Sequence, residues 1–145
     1  MKNKIKTVAV SGYFDPVHRG HIEYFKLAKE LAGEDGKVVC ILNNDYQALL
    51  KKPKVFMLME ERRVILEAIK YIDEVYISID NDESVCKSLQ VIDPDIFAKG
   101  GDRYSFEIPE EKICEELKIE IVDGLGEKVQ ASSELIKKWE TKGCQ

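Results

Sequence analysis

Short apolar runs alternate with helix-patterned segments along nearly the whole chain, and this alternation limits the fold more than any other feature. Thr7–Val10, Lys37–Leu42, Glu74–Ile79, Asp95–Ala98 and Ile119–Val122 are mostly apolar and bounded by Gly, Asn and Asp, as strands buried on both faces are. Between them, Ile22, Phe25, Leu27, Ala28 and Leu31 recur at helical spacing until Gly33 stops the run. Glu60–Tyr71 is amphipathic, Ser84–Gln90 is shorter, Pro109–Leu117 opens with a proline suited to a first helical turn, and Ser132–Trp139 closes the chain. Strand and helix in alternation imply a three-layer α/β domain with a five-stranded parallel sheet. Ligands of such sheets bind beyond the carboxyl ends of the strands. The chemistry is therefore expected at the junctions Gly12–His21, Asn43–Lys54, Gly100–Tyr104 and Gly124–Ser133.

Size and charge exclude several classes. The 145 residues fit one domain. The longest fully apolar runs, Val38–Leu42 and Val55–Met59, have five residues each, against the roughly 20 that a membrane helix needs. Only Thr7–Val10 follows the basic N-terminus before Ser11-Gly12, so no signal peptide is expected. The net charge of −5 argues against a nucleic-acid surface, yet a small phosphorylated ligand needs only local cations. Cys40, Cys86, Cys114 and Cys144 form no C-x-x-C pair and read as reduced thiols of a cytoplasmic protein.

The first junction, Ser11-Gly-Tyr-Phe-Asp-Pro-Val-His-Arg-Gly-His21, is the most informative stretch. Both histidines of the chain lie here, three apart, where the first helix begins, and residues so spaced share a helix face. A helix N-terminus offers free N–H groups and a positive dipole end to phosphate. Two imidazoles there add donors for charge that develops on phosphate oxygens. Gly20 lets a ligand approach the backbone. The glycines do not form G-x-G-x-x-G, and only Asp15 is a nearby third metal ligand, so neither a dinucleotide fingerprint nor a metal site is expected.

Gly12-Tyr-Phe-Asp-Pro-Val-His-Arg-Gly-His21 resembles the H-x-G-H signature of the nucleotidyltransferase superfamily. Three further blocks resemble it in order: Met59–Val75 that of glycerol-3-phosphate cytidylyltransferases, Ala98-Lys-Gly-Gly-Asp102 that of heptose-phosphate adenylyltransferases, and Ala131–Lys137 the family's closing motif. The resemblance implies a Rossmann-like fold, a homodimer, and transfer of a CMP or AMP group from CTP or ATP to a phosphorylated small molecule, with pyrophosphate released. The Glu60–Val75 block favours CTP with a phospho-alcohol such as glycerol 3-phosphate; the Lys99–Asp102 loop favours ATP with a sugar phosphate such as heptose 1-phosphate. Glu127–Ser133 lacks the arginine of the cytidylyltransferases. Archaeal-type FAD synthetases rank lower on their loop after the fourth strand.

The resemblance also assigns roles. His18 and His21 would donate to the transition-state phosphates, and Lys51, ahead of Lys52 and Lys54, would bind phosphate. Arg62 would turn towards the triphosphate. Gly12, Tyr13, Phe14, Asp15, Gly20, Lys99, Gly100, Gly101, Asp102, Ser132 and Ser133 would lie along the nucleotide, with Asp15 chiefly shaping its loop. Mg²⁺ is expected because free triphosphate is strongly anionic. Histidines acting as cations would make turnover fall as pH rises through roughly 6.5. A catalytically silent nucleotide-binding module and a flavodoxin-type domain are the competing classes; the second leaves both histidines idle.

Overall fold

The computed structural model describes residues 5–51, 53–100 and 109–125. The elements run β1 (Thr7–Gly12), α1 (Arg19–Ala32), β2 (Lys37–Leu42), α2 (Asp45–Lys51), α3 (Met59–Glu67), β3 (Glu74–Ile77), α4 (Cys86–Ile92), β4 (Ile96–Gly100), α5 (Glu111–Leu117) and β5 (Glu120–Leu125). The five strands pair in parallel in the order β3-β2-β1-β4-β5. The expected α/β, Rossmann-like sheet is present.

Alternation along each strand sorts residues onto two cores. Val8 and Val10 of β1, Val38, Cys40 and Leu42 of β2, and Ile96 and Ala98 of β4 pack with Phe25 and Ala28 of α1 and Leu66 of α3. Ala9, Ile41 and Phe97 point the other way, onto Leu89 of α4 and Cys114 of α5. Both faces of the sheet are covered, which is why its strands read as continuous apolar runs. The order reverses beside β1, whose neighbours are β2 and β4, and a ligand crevice forms at such a switch point.

Beyond boundary shifts of up to three residues, the structure differs from the sequence reading in two segments. The segment Asp45–Lys51, expected as part of a loop, is helical. Its signal is a capping box: Asn44 Oδ1 accepts from Gln47 N at 2.8 Å while Gln47 Oε1 accepts from Asn44 N at 3.0 Å. The amphipathic helix ends at Glu67 rather than Tyr71, because the amides of Ala68 and Ile69 bond three residues back and swing Ile72 into the core. Ser132–Trp139 lies outside the described residues.

Candidate active site

A cleft opens above the carboxyl ends of the strands, lined by Ser11, Gly12, Tyr13, Phe14, His21, Tyr24, Asn43, Lys51, Glu83, Val85, Lys99, Gly100 and Glu110. At about 210 Å³ it is smaller than the roughly 300–1,000 Å³ of sites that enclose a whole ligand, as suits a groove holding the reacting part of two substrates.

Of the H-x-G-H residues, His21 lines the cleft and His18 stands beside it without lining it. His18 is the N-cap of α1, and its Nδ1 accepts from Gly20 N at 3.1 Å. His21 reciprocates, its Nδ1 accepting from His18 N at 3.2 Å. Both rings thus spend Nδ1 as an acceptor, so each carries its proton on Nε2. The rings stack with centroids 3.9 Å apart, and His18 Nε2 is buried with no partner among the described residues. Burial, helped by the neighbouring His18, pushes the His21 pKa down to about 3, and burial also lowers that of His18. Both are neutral donors near pH 7. This corrects the expectation of cationic histidines and of a turnover loss through pH 6.5 in the free protein.

The residues around them divide between cleft and scaffold. Phe14 has φ 51, a left-handed conformation uncommon outside glycine, and its ring contacts His21 and Phe25 edge-on. A Cβ on Gly12 would lie 2.7 Å from Phe14 Cζ, so glycine there makes room for the phenyl ring. Tyr24 is buried and also lines the cleft, its hydroxyl donating to Ala98 O at 2.5 Å. Lys51 stands exposed at the end of α2, Nζ 5.0 Å from the Tyr13 ring centroid. Lys99 is buried on β4 beside the Phe97 ring. Among the described residues, a Cβ on Gly100 would meet nothing within 4 Å.

Two expected ligand residues, Arg62 and Gly20, serve the scaffold instead, and Asp15 is committed to loop backbone. Arg62 is fully buried and absent from the cleft. Its Nε donates to Met57 O, one terminal nitrogen to Tyr13 O and Asn43 O, and the other to Asp45 Oδ1 at 2.7 Å. The side chain that was expected to turn towards triphosphate therefore ties the β1–α1 and β2–α2 connections to α3. Asp15 is buried and accepts from Phe56 N and Met57 N, so its carboxylate anchors backbone. Gly20 commits its amide to His18 and does not line the cleft. Gly101, Asp102, Ser132, Ser133 and Lys52 lie outside the described residues.

Asn43, Glu83, Val85 and Glu110 line the cleft although the sequence reading did not select them. Pro109-Glu110 had been read only as a helix start, and Glu83 as solvent-facing polar chain has no signature. Among the described residues, no group of three His, Cys, Asp or Glu can hold a metal ion, and no helix is long and apolar enough to cross a membrane.

A parallel sheet with a stacked histidine pair capping a helix N-terminus, beside a cleft at the strand ends that holds two lysines, suits a protein that handles nucleotides. Residues 9–138 match the family model described as cytidylyltransferase-like, and the chain belongs to that family, an H-x-G-H nucleotidyltransferase. It is 37% identical over 120 residues to the FAD synthase of Thermococcus kodakarensis, covering 83% of this chain and 74% of that protein. It is 34% identical over 113 residues to the FAD synthase of Methanothermus fervidus, covering 78% and 74%. Among solved structures, the lipopolysaccharide core biosynthesis protein of Thermoplasma volcanium superposes with a TM-score of 0.71 at 21% identity, covering 85% of this chain and 98% of that one; that likeness concerns the fold.

Proposed function

We propose that this chain transfers the adenylyl group of ATP to FMN, forming FAD and releasing pyrophosphate. The observation that carries nucleotidyl transfer is the reciprocal histidine cap, which spends both Nδ1 atoms on the helix N-terminus and leaves Nε2–H as the donor of each ring. ATP and FMN are favoured by the names of the relatives in Thermococcus and Methanothermus, both FAD synthases. This reverses the sequence-based ranking, in which CTP with glycerol 3-phosphate came first and FAD synthetases lower.

In this reading the FMN phosphate attacks the α-phosphorus of ATP in line. A new P–O bond forms as the bond to the β-phosphate oxygen breaks, and pyrophosphate leaves. The attacking phosphate has a second pKa of about 6 and is anionic at pH 7, so no general base is required. The protein's task is to align two anions and to stabilise charge on the transferring group. His18 and His21 donate to the phosphoryl oxygens, and Lys51 neutralises phosphate from the β2 side. Tyr13, Phe14, Gly12, Lys99 and Gly100 border the nucleotide. Arg62, Asp15 and Gly20 shape the loops that hold these groups. Mg²⁺ arrives on the triphosphate as part of the substrate.

A homodimer is part of the proposal. Tyr46, Leu49 and Leu50 of α2, Phe56 and Leu58 after it, and Val64 and Ile65 of α3 are exposed apolar side chains whose helices meet through Asp45 and Arg62, and such concentrations mark association surfaces. The deciding experiment incubates the protein with ATP, Mg²⁺ and FMN and follows FAD and pyrophosphate by chromatography. FAD in equal amount to pyrophosphate is expected. Pyrophosphate from CTP with glycerol 3-phosphate, and none from ATP with FMN, would return the assignment to cytidylyl transfer.

A further inference from the structure

The ladder between β1 and β4 stops early. It pairs Val8 with Ile96 and Ala9 with Phe97, whereas β1 stays paired with β2 up to Gly12 and β4 with β5 up to Gly100. The seam between β1 and β4 therefore opens at the switch point, and Ser11, Gly12, Lys99 and Gly100 on its two sides line the cleft. Continued by two residues, the register would set Ser11 opposite Lys99, and Ser11 N would donate to Ala98 O. The hydroxyl of Tyr24 takes the place of that rung. It accepts from Ser11 N at 3.3 Å and donates to Ala98 O at 2.5 Å.

A direct rung would hold the nitrogen and the oxygen about 2.9 Å apart, and two bonds in series through an oxygen span more than one. The hydroxyl is thus a spacer as well as a partner. Ala98 is fully buried and Tyr24 nearly so, so a polar group left unmatched there would be costly; the hydroxyl satisfies both strands without drawing them together. Packing alone does not call for it, since Phe25, the next residue of α1, fills the same core without one. Through this one group α1 is tied to both strands. His21 precedes Tyr24 by three residues and shares its side of the helix, and both line the cleft. Whatever sets the gap between the strands also sets where His21 stands relative to Lys99 on the far wall.

We propose that Tyr24 is a positioning residue for nucleotidyl transfer: its hydroxyl replaces one rung of the sheet, holds β1 and β4 apart, and so fixes the width of the reaction cleft. The inference rests on the nucleotidyl-transfer reading, but on neither the base nor the acceptor, nor on which substrate crosses the gap. Without the hydroxyl, Ser11 N and Ala98 O bond to each other, the ladder gains its next rung, and the two walls approach. A displacement of about 1 Å between groups that must align two anions costs roughly 10²-fold in rate. Stability changes little, because the donor and the acceptor released by Tyr24 satisfy one another.

The test is Tyr24→Phe. The readings are the NMR scalar coupling across a hydrogen bond from Ser11 N to Ala98 O, the urea midpoint of unfolding, and kcat with saturating ATP, Mg²⁺ and FMN. The native chain is expected to lack the coupling. In Tyr24→Phe the coupling is expected to appear, the midpoint to stay at its native value, and kcat to fall roughly 10²-fold. A tyrosine that only fills the core predicts the opposite pattern: a lower midpoint, no new rung, and the kcat of the folded fraction retained. Absence of the coupling in the variant, or a kcat equal to that of the native chain, would overturn the proposal. Should Tyr24→Phe fail to fold, Tyr24→Leu, which removes ring and hydroxyl together, is read by the same measurements. If the native chain makes no FAD, the FMN assignment fails. The spacer is then judged by the coupling and by calorimetric affinities for ATP and CTP with Mg²⁺, which Tyr24→Phe is expected to weaken; equal affinities would sink it.

Discussion

Helices α1 and α4 both begin at the ligand edge of the sheet, and their N-termini are finished in opposite ways. At α1 no acidic residue occupies the first turn, and the cap is two neutral imidazoles whose Nε2–H groups remain available. At α4 the buried carboxylate of Asp80 accepts from Lys87 N, Ser88 N and Ser88 Oγ, at 2.7–3.0 Å. The chain supplies its own anion to α4 and, on the proposed reading, keeps the end of α1 for an anion from outside. A helix start becomes a phosphate site through what its cap leaves unspent, and the dipole alone does not distinguish the two.

The contrast can be broken first at its support. Arg62→Ala removes a buried guanidinium that donates to the carbonyls of Tyr13, Asn43 and Met57 and to the Asp45 carboxylate. Loss of about 3–5 kcal/mol is expected, measured by urea unfolding. A loss near zero would mean that the α1 side does not depend on this tie. His21→Ala comes next, with kcat reduced roughly 10²–10³-fold and a circular dichroism spectrum unchanged. His18→Asn keeps a good cap and removes the Nε2 donor, so it should show the same kind of rate loss with little change in stability. Asp80→Ala is expected to do the reverse: about 2–3 kcal/mol of stability lost with the turnover of the folded fraction retained.

The effects of pH are small near neutrality and grow as the solution becomes acidic. A histidine held near pKa 3 in the folded chain and near 6.5 when unfolded takes up its proton only on unfolding between those values. Stability is whole above about pH 6.5 and declines as pH falls towards 3, by at most about 1.4 kcal/mol per unit for one such group. Thermal melts should show this slope, and His21→Ala should flatten it. For turnover, kcat/KM is expected to hold level from about pH 6.5 to 9, because the donors of the free protein are already neutral. A decline across that range would restore cationic histidines.

Much of the fold was legible because the central strands are buried on both faces, and Lys37–Leu42 shows it, with a β-branched, apolar sequence and identical observed bounds. The H-x-G-H junction was legible for a different reason, since cap and ligand donor are the same two residues. What sequence missed was set by distant partners. Arg62 has the residue type of a triphosphate ligand, but its four acceptors lie on segments between 5 and 49 residues away. Glu110 looks like any first-turn acid until Val85, 25 residues earlier, is placed against it. The α2 helix was hidden behind a polar start and a proline-bearing end, although Asn44-x-x-Gln47 carried its signal.

Gln47 has a consequence of another kind. Its side-chain amide donates to Asp82 O and Ser84 O at 2.7 and 2.8 Å, and Asn44 Nδ2 donates to Ser78 O and Asp80 O. The connection from β3 to α4 is thus stitched to α2 at four carbonyls, and its last residue, Val85, is caught by Glu110. Ligand-bordering connections are commonly the first parts of a protein to open and exchange their amide protons. Here Lys51 and Glu110, on opposite banks of the cleft, are joined by a continuous run of such stitches, so the rim should exchange slowly and together, and deuterium uptake at Ser84 and Val85 should rise when Gln47 alone is replaced by alanine.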